Sequence, residues 1–190
     1  MRNAVWTLTV SALLTAASAQ IDYQEQGDAG DLPATAQLVS AADAQPCQTP
    51  VQSIRGQMDE DDVDMFVICI TDPATFSAST VGTTSWDTQL WLFRCDGIGV
   101  VHNDDNPDGG GLGSRIDNRT NCIQRPGIYL LAISRYNRDP VTADGLMLWD
   151  LLGNNRAVRC PDGPRADEPV GAWAGATQAA GEYLILLTGA

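Results

Sequence analysis

A run of short apolar segments between residues 61 and 134 most constrains the fold of this chain. The segments read DDVDMFVICI, WDTQLWLF, DGIGVVHNDDNPDGG and PGIYLLAIS, with Asp, Asn, Gly and Pro at the breaks. Apolar segments of this length, bounded by turn-forming residues, are typical of β-strands joined by short loops. We therefore expect a run of antiparallel strands with aspartate-rich loops at their ends.

Strand signals continue along most of the chain, whereas helical signals are scarce. We predict strands over residues 51–57, 64–71, 76–81, 88–93, 99–102, 127–134, 145–150 and 182–188. Residues 65–70 are nearly all apolar, which indicates a strand covered on both faces. Only residues 34–42 favour a short helix, and residues 153–169 are polar enough to form a long surface loop. About eight strands without βαβ alternation predict an all-β antiparallel sandwich of the jelly-roll kind.

The first nineteen residues have the pattern of a secretory signal peptide. Arg2 precedes an apolar run over residues 4–17, and an Ala-Ser-Ala cleavage site ends at Ala19. An N-terminal anchor helix is the alternative, but the run is shorter than the ~20 apolar residues that span a bilayer. We expect cleavage near Ala19, release to the extracellular space or the periplasm without membrane insertion, and a single domain over residues 20–190.

The charge of the chain excludes one class of partner. The net charge is -13, with 24 acidic residues against 11 basic residues, all of them arginine. Such a chain is repelled by nucleic acid and by anionic membrane surfaces. Twenty of the acidic residues are Asp, which favours loops and turns. The acidity either keeps the protein soluble or supplies carboxylates for a cation.

Five cysteines in a chain bound for an oxidising compartment predict disulfides, with at least one thiol left over. We expect Cys47 to pair with Cys69 and Cys95 with Cys122, which leaves Cys160 unpaired, although sequence alone does not fix the connectivity. A zinc site is the competing interpretation. The chain has no C-x-x-C pair and a single histidine, which argues against zinc.

No catalytic residue is predicted. His102 is the only histidine, and the sequence contains no G-x-S-x-G, no H-E-x-x-H and no lysine. Asp104 and Asp105 could in principle act as an acid and a base, but adjacent acids in a turn are more often solvated or bound to a metal.

The segment DDNPDG resembles the first half of a calcium-binding loop. It offers oxygen ligands at alternate positions, from Asp104, Asn106 and Asp108. Gly109 follows where the backbone must turn sharply, as the D-x-N-x-D-G pattern requires. Arg115 occupies the position of the usual bidentate Glu, so a further ligand such as Asn103 or Asp117 would be needed. The alternative is a hairpin loop stabilised by Asx side chains.

The segments D-V-D-M-F, D-T-Q-L-W-L-F, D-G-I-G-V, N-D-D and P-G-I-Y-L-L-A-I-S, in that order, resemble the bacterial pre-peptidase C-terminal family. Its members are β-sandwich modules attached to secreted hydrolases and surface proteins. The resemblance covers residues 22–134 and, more weakly, the closing strand through Thr188. No catalytic domain accompanies the module in this chain.

The resemblance extends to the collagen-binding β-sandwich domains of bacterial collagenases, which hold calcium between an acidic N-terminal segment and a D-x-x-D element. It implies a second calcium site here, with Glu25, Asp28 and Asp31 on one side and Asp61 and Asp64 on the other. Alternatively, these acids prevent a sheet edge from pairing with other chains.

We therefore expect a secreted, non-catalytic, calcium-supported binding module for an extracellular polymer or a surface protein. Tyr136 lies in a polar setting, R-Y-N-R, and is the candidate aromatic contact for a ligand. A structural or envelope component, with itself or the cell surface as partner, is the alternative, and a hydrolase or hydrolase accessory comes third. The oligomeric state stays open.

Overall fold

The computed structural model describes residues 20–41, 45–151, 156–177 and 180–190. The predicted signal peptide lies outside these residues, as does the end of the predicted helix at Ala42. The described residues form twelve strands and one 3-10 turn (Asn118–Thr120). No helix among them has the length and apolar character that a membrane span requires. The all-β prediction is confirmed, with more strands than expected.

The strands are short, and several of them escaped sequence prediction. In chain order they are β1 (Ile21–Gln24), β2 (Gln37–Leu38), β3 (Val51–Met58), β4 (Asp64–Ile70), β5 (Ser77–Ser79), β6 (Thr88–Arg94), β7 (Gly99–Asn103), β8 (Arg115–Asp117), β9 (Gly127–Arg135), β10 (Arg138–Val141), β11 (Ala172–Gly175) and β12 (Gly181–Thr188). The unpredicted strands β1, β2, β8, β10 and β11 have at most four residues each, too few to show a clear period.

Two five-stranded sheets pack face to face as a sandwich. One has the order β1-β3-β12-β5-β8 and the other β2-β4-β9-β6-β7. The pairs β1-β3 and β2-β4 are parallel, and the other pairs are antiparallel. The expectation of a purely antiparallel sandwich is therefore wrong at the N-terminal edges. The N-terminal segment adds one strand to each sheet, and each lies parallel to its neighbour.

Two predicted elements are absent from the described residues. The predicted helix at 34–42 is replaced, as far as Ser40 and Ala41, by the strand β2 and irregular backbone. Residues 145–150 form turns, and only Met147 makes a bridge, to Val141. Leu148 and Trp149 are nevertheless fully buried. This segment is apolar because it covers one face of a sheet. A segment can bury its side chains in this way without pairing as a strand.

The hydrophobic core has two layers. The inner layer lies between the sheets and includes Phe66, Ile68 and Leu92. The outer layer covers the other face of the second sheet, where Met65 and Trp91 are fully buried. Neighbouring strand residues thus enter different layers, which confirms that residues 65–70 are covered on both faces.

The outer layer is rich in tryptophan, and each indole N–H has a partner. Trp91 donates to Ser134 Oγ at 2.8 Å, and Trp173 donates to the carbonyl of Asp31 at 2.7 Å. Trp149 donates to the carbonyl of Arg159 at 3.3 Å. The aromatic rings therefore gain burial without leaving a polar atom unsatisfied.

The described part of the predicted 153–169 loop, from residue 156 onwards, contains no strand, as expected, but it is attached at several points. Arg159 exchanges backbone hydrogen bonds with His102, both at 2.9 Å. Ile98 forms a bridge with Pro169, and Val158 is buried. The loop therefore lies along the edge of the sheet beside β7, and its Val158 joins the inner layer.

The structure forms two disulfides, and one differs from the expectation. Cys47 pairs with Cys69 as predicted, with a Cα–Cα distance of 5.1 Å. Cys122 pairs with Cys160 at 5.9 Å, so the predicted Cys95–Cys122 pair is wrong. The loop that contains Cys160 runs alongside β7 and comes close to Cys122, while Cys95 is exposed and unpaired. Two disulfides indicate an oxidising environment.

We predict that Cys160→Ser lowers the free energy of unfolding by about 4 kcal/mol, because it opens a loop with a sequence separation of 38 residues. Urea unfolding followed by circular dichroism measures the change. Cys95→Ser is the matched control and should leave stability unchanged. Alkylation of the denatured, unreduced protein should label Cys95 alone, and a labelled Cys160 would contradict the pairing.

Candidate metal centres

Three carboxylates converge beside the N-terminal arm, in a group that we name the N-terminal acidic cluster. It consists of Asp28 after β1, Asp62 in the turn between β3 and β4, and Asp64 at the start of β4. One carboxylate oxygen from each residue lies within 4.8 Å of the other two. Asp28 is exposed, Asp62 is half-buried and Asp64 is fully buried, so the cluster leads from the surface into the sandwich.

Asp64 is the most constrained member of the cluster. The Tyr183 hydroxyl donates to its Oδ2 at 2.6 Å, while its Oδ1 has no hydrogen-bond partner. Burial raises the pKa of Asp64 to about 8, the hydrogen bond from Tyr183 opposes this, and the charges of Asp62 and Glu25 reinforce it. The carboxylate must therefore be neutralised, by a proton or by a cation.

Glu25 ties the N-terminal arm to β3. Its carboxylate accepts hydrogen bonds from the backbone N–H groups of Ala29, at 3.1 Å, and Gln57, at 3.0 Å. Gly56 makes this approach possible, because a Cβ at that position would collide with the Glu25 carboxylate and the Tyr183 hydroxyl. Glu25 thus lies close enough to influence Asp64 electrostatically while it holds the backbone.

The predicted ligands of this site are only partly brought together. Asp28 and Asp64 join the cluster, whereas the third member is Asp62 and not the predicted Asp61. Asp61 is exposed, has a left-handed backbone (φ 68°), and its carbonyl accepts a hydrogen bond from Arg138 at 3.2 Å. The turn thus presents Asp62 inwards, where burial raises its pKa and the charges of Asp28 and Asp31 contribute.

A second group of carboxylates lies at one end of the β6–β7 hairpin, and we name it the β6–β7 acidic cluster. Asp87 immediately precedes β6, and Asp104 and Asp105 immediately follow β7. One carboxylate oxygen from each lies within 4.8 Å of the other two. Because β6 and β7 are antiparallel, the start of one and the end of the other meet at the same edge.

The D-x-N-x-D-G pattern is not itself gathered into a ligand set. Asp108 is exposed and forms ion pairs with Arg115 and with Arg119, the latter at 3.2 Å. Asn106 Oδ1 accepts from the backbone N–H of Asp108 at 3.1 Å, which forms an Asx turn. Of the three patterned residues, only Asp104 belongs to the acidic cluster.

The auxiliary ligands proposed for this loop also have other partners. Asn103 Oδ1 accepts from the backbone N–H of Arg115 at 2.7 Å, and Asn103 Nδ2 donates to the carbonyl of Arg156. Asp117 accepts from the Arg119 guanidinium at 2.6 and 2.7 Å. These contacts are those expected of an Asx-stabilised loop.

Sequence reasoning missed Asp62 and Asp87. Asp62 was passed over within a run of acids in which the turn geometry decides which side chain points inwards. Asp87 lies in W-D-T-Q-L-W-L-F, well before the patterned loop that begins at Asp104. A signal for it existed, because an acid directly before one strand of an antiparallel pair meets an acid directly after the other.

A polar cavity of about 60 Å³ adjoins the second cluster. The side chains that matter for its chemistry are Gln89, His102, Asp104, Tyr136, Asp139 and Arg159. The His102 ring stacks on Trp91 with centroids 4.0 Å apart, and its Nδ1 has no partner. Burial lowers the pKa of His102 to about 3, so the imidazole is neutral at physiological pH.

Tyr136 lies at the rim of this cavity and is 47% exposed. Asp139 is buried inside and accepts a hydrogen bond from Gln89 Nε2 at 3.1 Å. Burial raises the pKa of Asp139 to about 6. The cavity therefore combines neutral polar groups with carboxylates and has an exposed aromatic ring at its mouth.

Comparison of the chain with models of known protein families and with curated protein sequences found no match.

We predict that Tyr183→Phe lowers the free energy of unfolding by about 1–3 kcal/mol, because it removes the hydrogen bond from the Tyr183 hydroxyl to the buried Asp64 carboxylate. Tyr129→Phe is the matched control, since its hydroxyl donates to the carbonyl of Arg125 in an exposed hydrogen bond. Urea unfolding in the presence of a chelator measures both effects. Equal losses in the two variants would contradict the special role of the Asp64 contact.

Proposed function

We propose that this protein is a secreted, non-catalytic β-sandwich module that uses calcium for stability and binds an extracellular polymer or a surface protein. The observation that carries the calcium part is Asp64, which is fully buried and has an unpartnered Oδ1 among other carboxylates. A cation bound there would complete the coordination that the protein leaves unfinished.

The donor set of the N-terminal acidic cluster suits calcium. Asp28, Asp62 and Asp64 offer only carboxylate oxygens, and Glu25 lies beside them. Hard oxygen ligands of this kind favour Ca²⁺ or Mg²⁺ over zinc and copper, and Ca²⁺ tolerates irregular ligand geometry that Mg²⁺ does not. Such an ion would join the N-terminal arm to the β3–β4 turn, and thereby fix the two parallel edge strands.

Export from the cell is the second part of the proposal. The signal-peptide pattern that ends near Ala19 supports cleavage and release. The two disulfides support an extracellular or periplasmic location. The strongly acidic composition argues against nucleic acid as a partner.

The binding role is supported by the likeness to the pre-peptidase C-terminal modules and by the exposed ring of Tyr136 at the mouth of the polar cavity. None of the side chains that line this cavity in the described residues is a serine, threonine or cysteine that His102 could activate. A non-catalytic role is therefore preferred to a hydrolase. A structural envelope component is the alternative class, and the exposed thiol of Cys95, which could join a second chain, favours it.

We predict that millimolar calcium stabilises the protein by about 2–3 kcal/mol relative to a chelator, which raises Tm by roughly 5–10 °C. Differential scanning calorimetry measures the shift. Asp62→Asn should reduce this shift, because it removes a ligand of the N-terminal acidic cluster. Asp61→Asn, which removes the same charge from the same turn outside the cluster, should retain it. An unchanged Tm in calcium would overturn the calcium part of the proposal.

We further predict retention of the protein on an immobilised extracellular polymer, and at least a fivefold weaker affinity for Tyr136→Ala. Columns of collagen, of polysaccharides and of cell-envelope fractions form the test panel. Leu112→Ala removes a side chain that is 55% exposed and does not line the cavity, so it serves as the control. Retention only on envelope fractions would favour the structural alternative, and retention on no column would contradict a binding module.

A further inference from the structure

The backbone holds the β6–β7 acidic cluster in place from several directions. The carbonyl of Asp87 accepts from the backbone N–H of Tyr136 at 3.0 Å. The hydroxyl of Ser114 donates to the carbonyl of Asp104 at 2.5 Å, and Ser114 is itself fully buried. The carboxylates of Asp87 and Asp104 therefore converge because their main chain is fixed.

Two carboxylate oxygens in this cluster, Asp104 Oδ1 and Asp87 Oδ1, are buried and have no hydrogen-bond partner among the described residues. Asp104 is only 4% exposed, so water reaches little of its side chain. A buried polar atom without a partner costs about 1–3 kcal/mol, and more when it carries a charge. Two such atoms within one group of carboxylates indicate a place for a positively charged ligand that the protein itself does not supply.

The charges that act on Asp104 are those of other carboxylates, Asp87, Asp105 and Asp139. These groups repel one another unless a proton or a cation neutralises them. Arg135 partly offsets the charge of Asp87. The guanidinium groups of Arg115 and Arg119 are paired with Asp108 and Asp117.

We propose that Asp87, Asp104 and Asp105 form a cation site for Ca²⁺, separate from the N-terminal acidic cluster. The three ligands are carboxylates, with no cysteine or histidine in the group, which selects a hard divalent cation. The site does not rest on the N-terminal cluster, because the two groups share no residue. Asp104 also lines the polar cavity, so the ion would fix one wall of the cavity whose mouth holds Tyr136.

The site joins parts of the chain that are distant in sequence. The ion would connect the residue before β6 to the two residues after β7, and so close the open end of the hairpin. It would thereby replace repulsion between three carboxylates with attraction to a common ion. The D-x-N-x-D-G loop then serves to turn the chain after the ligands Asp104 and Asp105, with Asp108 holding Arg115 and Arg119 in the exposed part of the loop.

Calcium stoichiometry and affinity of the full chain test this proposal, by native mass spectrometry and by equilibrium dialysis. The variants are Asp105→Asn and Asp87→Asn, because both residues are only half-buried and tolerate an isosteric change. Asp108→Asn is the matched control, since Asp108 belongs to the sequence pattern but not to the cluster. Asp62→Asn reports on the N-terminal cluster alone.

We expect Asp62→Asn to keep one bound calcium ion. In Asp105→Asn and Asp87→Asn this ion should be lost, or its affinity should fall at least tenfold. Asp108→Asn should bind as the unaltered chain does. In chelator, Asp105→Asn should melt at the same temperature as the unaltered chain or higher, because it removes charge repulsion, and this separates ligand loss from damage to the fold. The proposed site is contradicted if Asp62→Asn by itself removes all bound calcium, or if Asp105→Asn and Asp87→Asn both bind calcium normally. Neither result decides whether the N-terminal acidic cluster binds calcium.

Discussion

The burial of both faces of the sheet that contains β4, β9 and β6 is the constraint on which the rest of the structure depends. One face packs on the other sheet through the inner layer, and the other face carries Trp91 and Phe93. Large apolar side chains gain about 1.5–3 kcal/mol each from full burial. The chain therefore has to supply an outer covering, which includes Leu148, Trp149 and Leu151, together with Val170 and Trp173 of β11.

This covering decides where the polar chemistry lies. Residues 156–161 return alongside the edge strand β7, so that the backbone of Arg159 is hydrogen-bonded to His102 and Cys160 forms a disulfide with Cys122. The return also encloses the polar cavity on its Arg159 side. Strands that are apolar on both faces have no position for a carboxylate in their middle, so acids collect where the strands begin and end. Asp64, Asp87 and Asp104 all occupy such positions.

The parts of the fold that follow from local pattern were predictable from sequence, and the parts that follow from tertiary packing were not. Residues 65–70 indicate a strand covered on both faces, because every position is apolar. Residues 145–150 carry an equally apolar pattern, but Leu148 and Trp149 bury themselves by covering a neighbour, which no periodicity distinguishes from pairing. The wrong prediction of Cys95 in place of Cys160 as the partner of Cys122 has the same origin. The pairing depends on which strand the polar loop lies against. At the metal centres, composition identified the acidic segments, whereas the choice of Asp62 over Asp61 depended on one left-handed residue in a turn.

The uneven distribution of tryptophan between the two layers has a spectroscopic consequence. Of the four tryptophans in the described residues, Trp91, Trp149 and Trp173 belong to the outer layer, and Trp86 only borders the inner one. Intrinsic fluorescence therefore reports chiefly on the covering of the sheet. Tryptophan fluorescence reports little on the interior between the sheets. The unfolding of that interior has to be followed by a backbone signal such as far-UV circular dichroism. If the fluorescence transition occurs at a lower temperature than the backbone transition, the outer layer detaches before the sandwich unfolds.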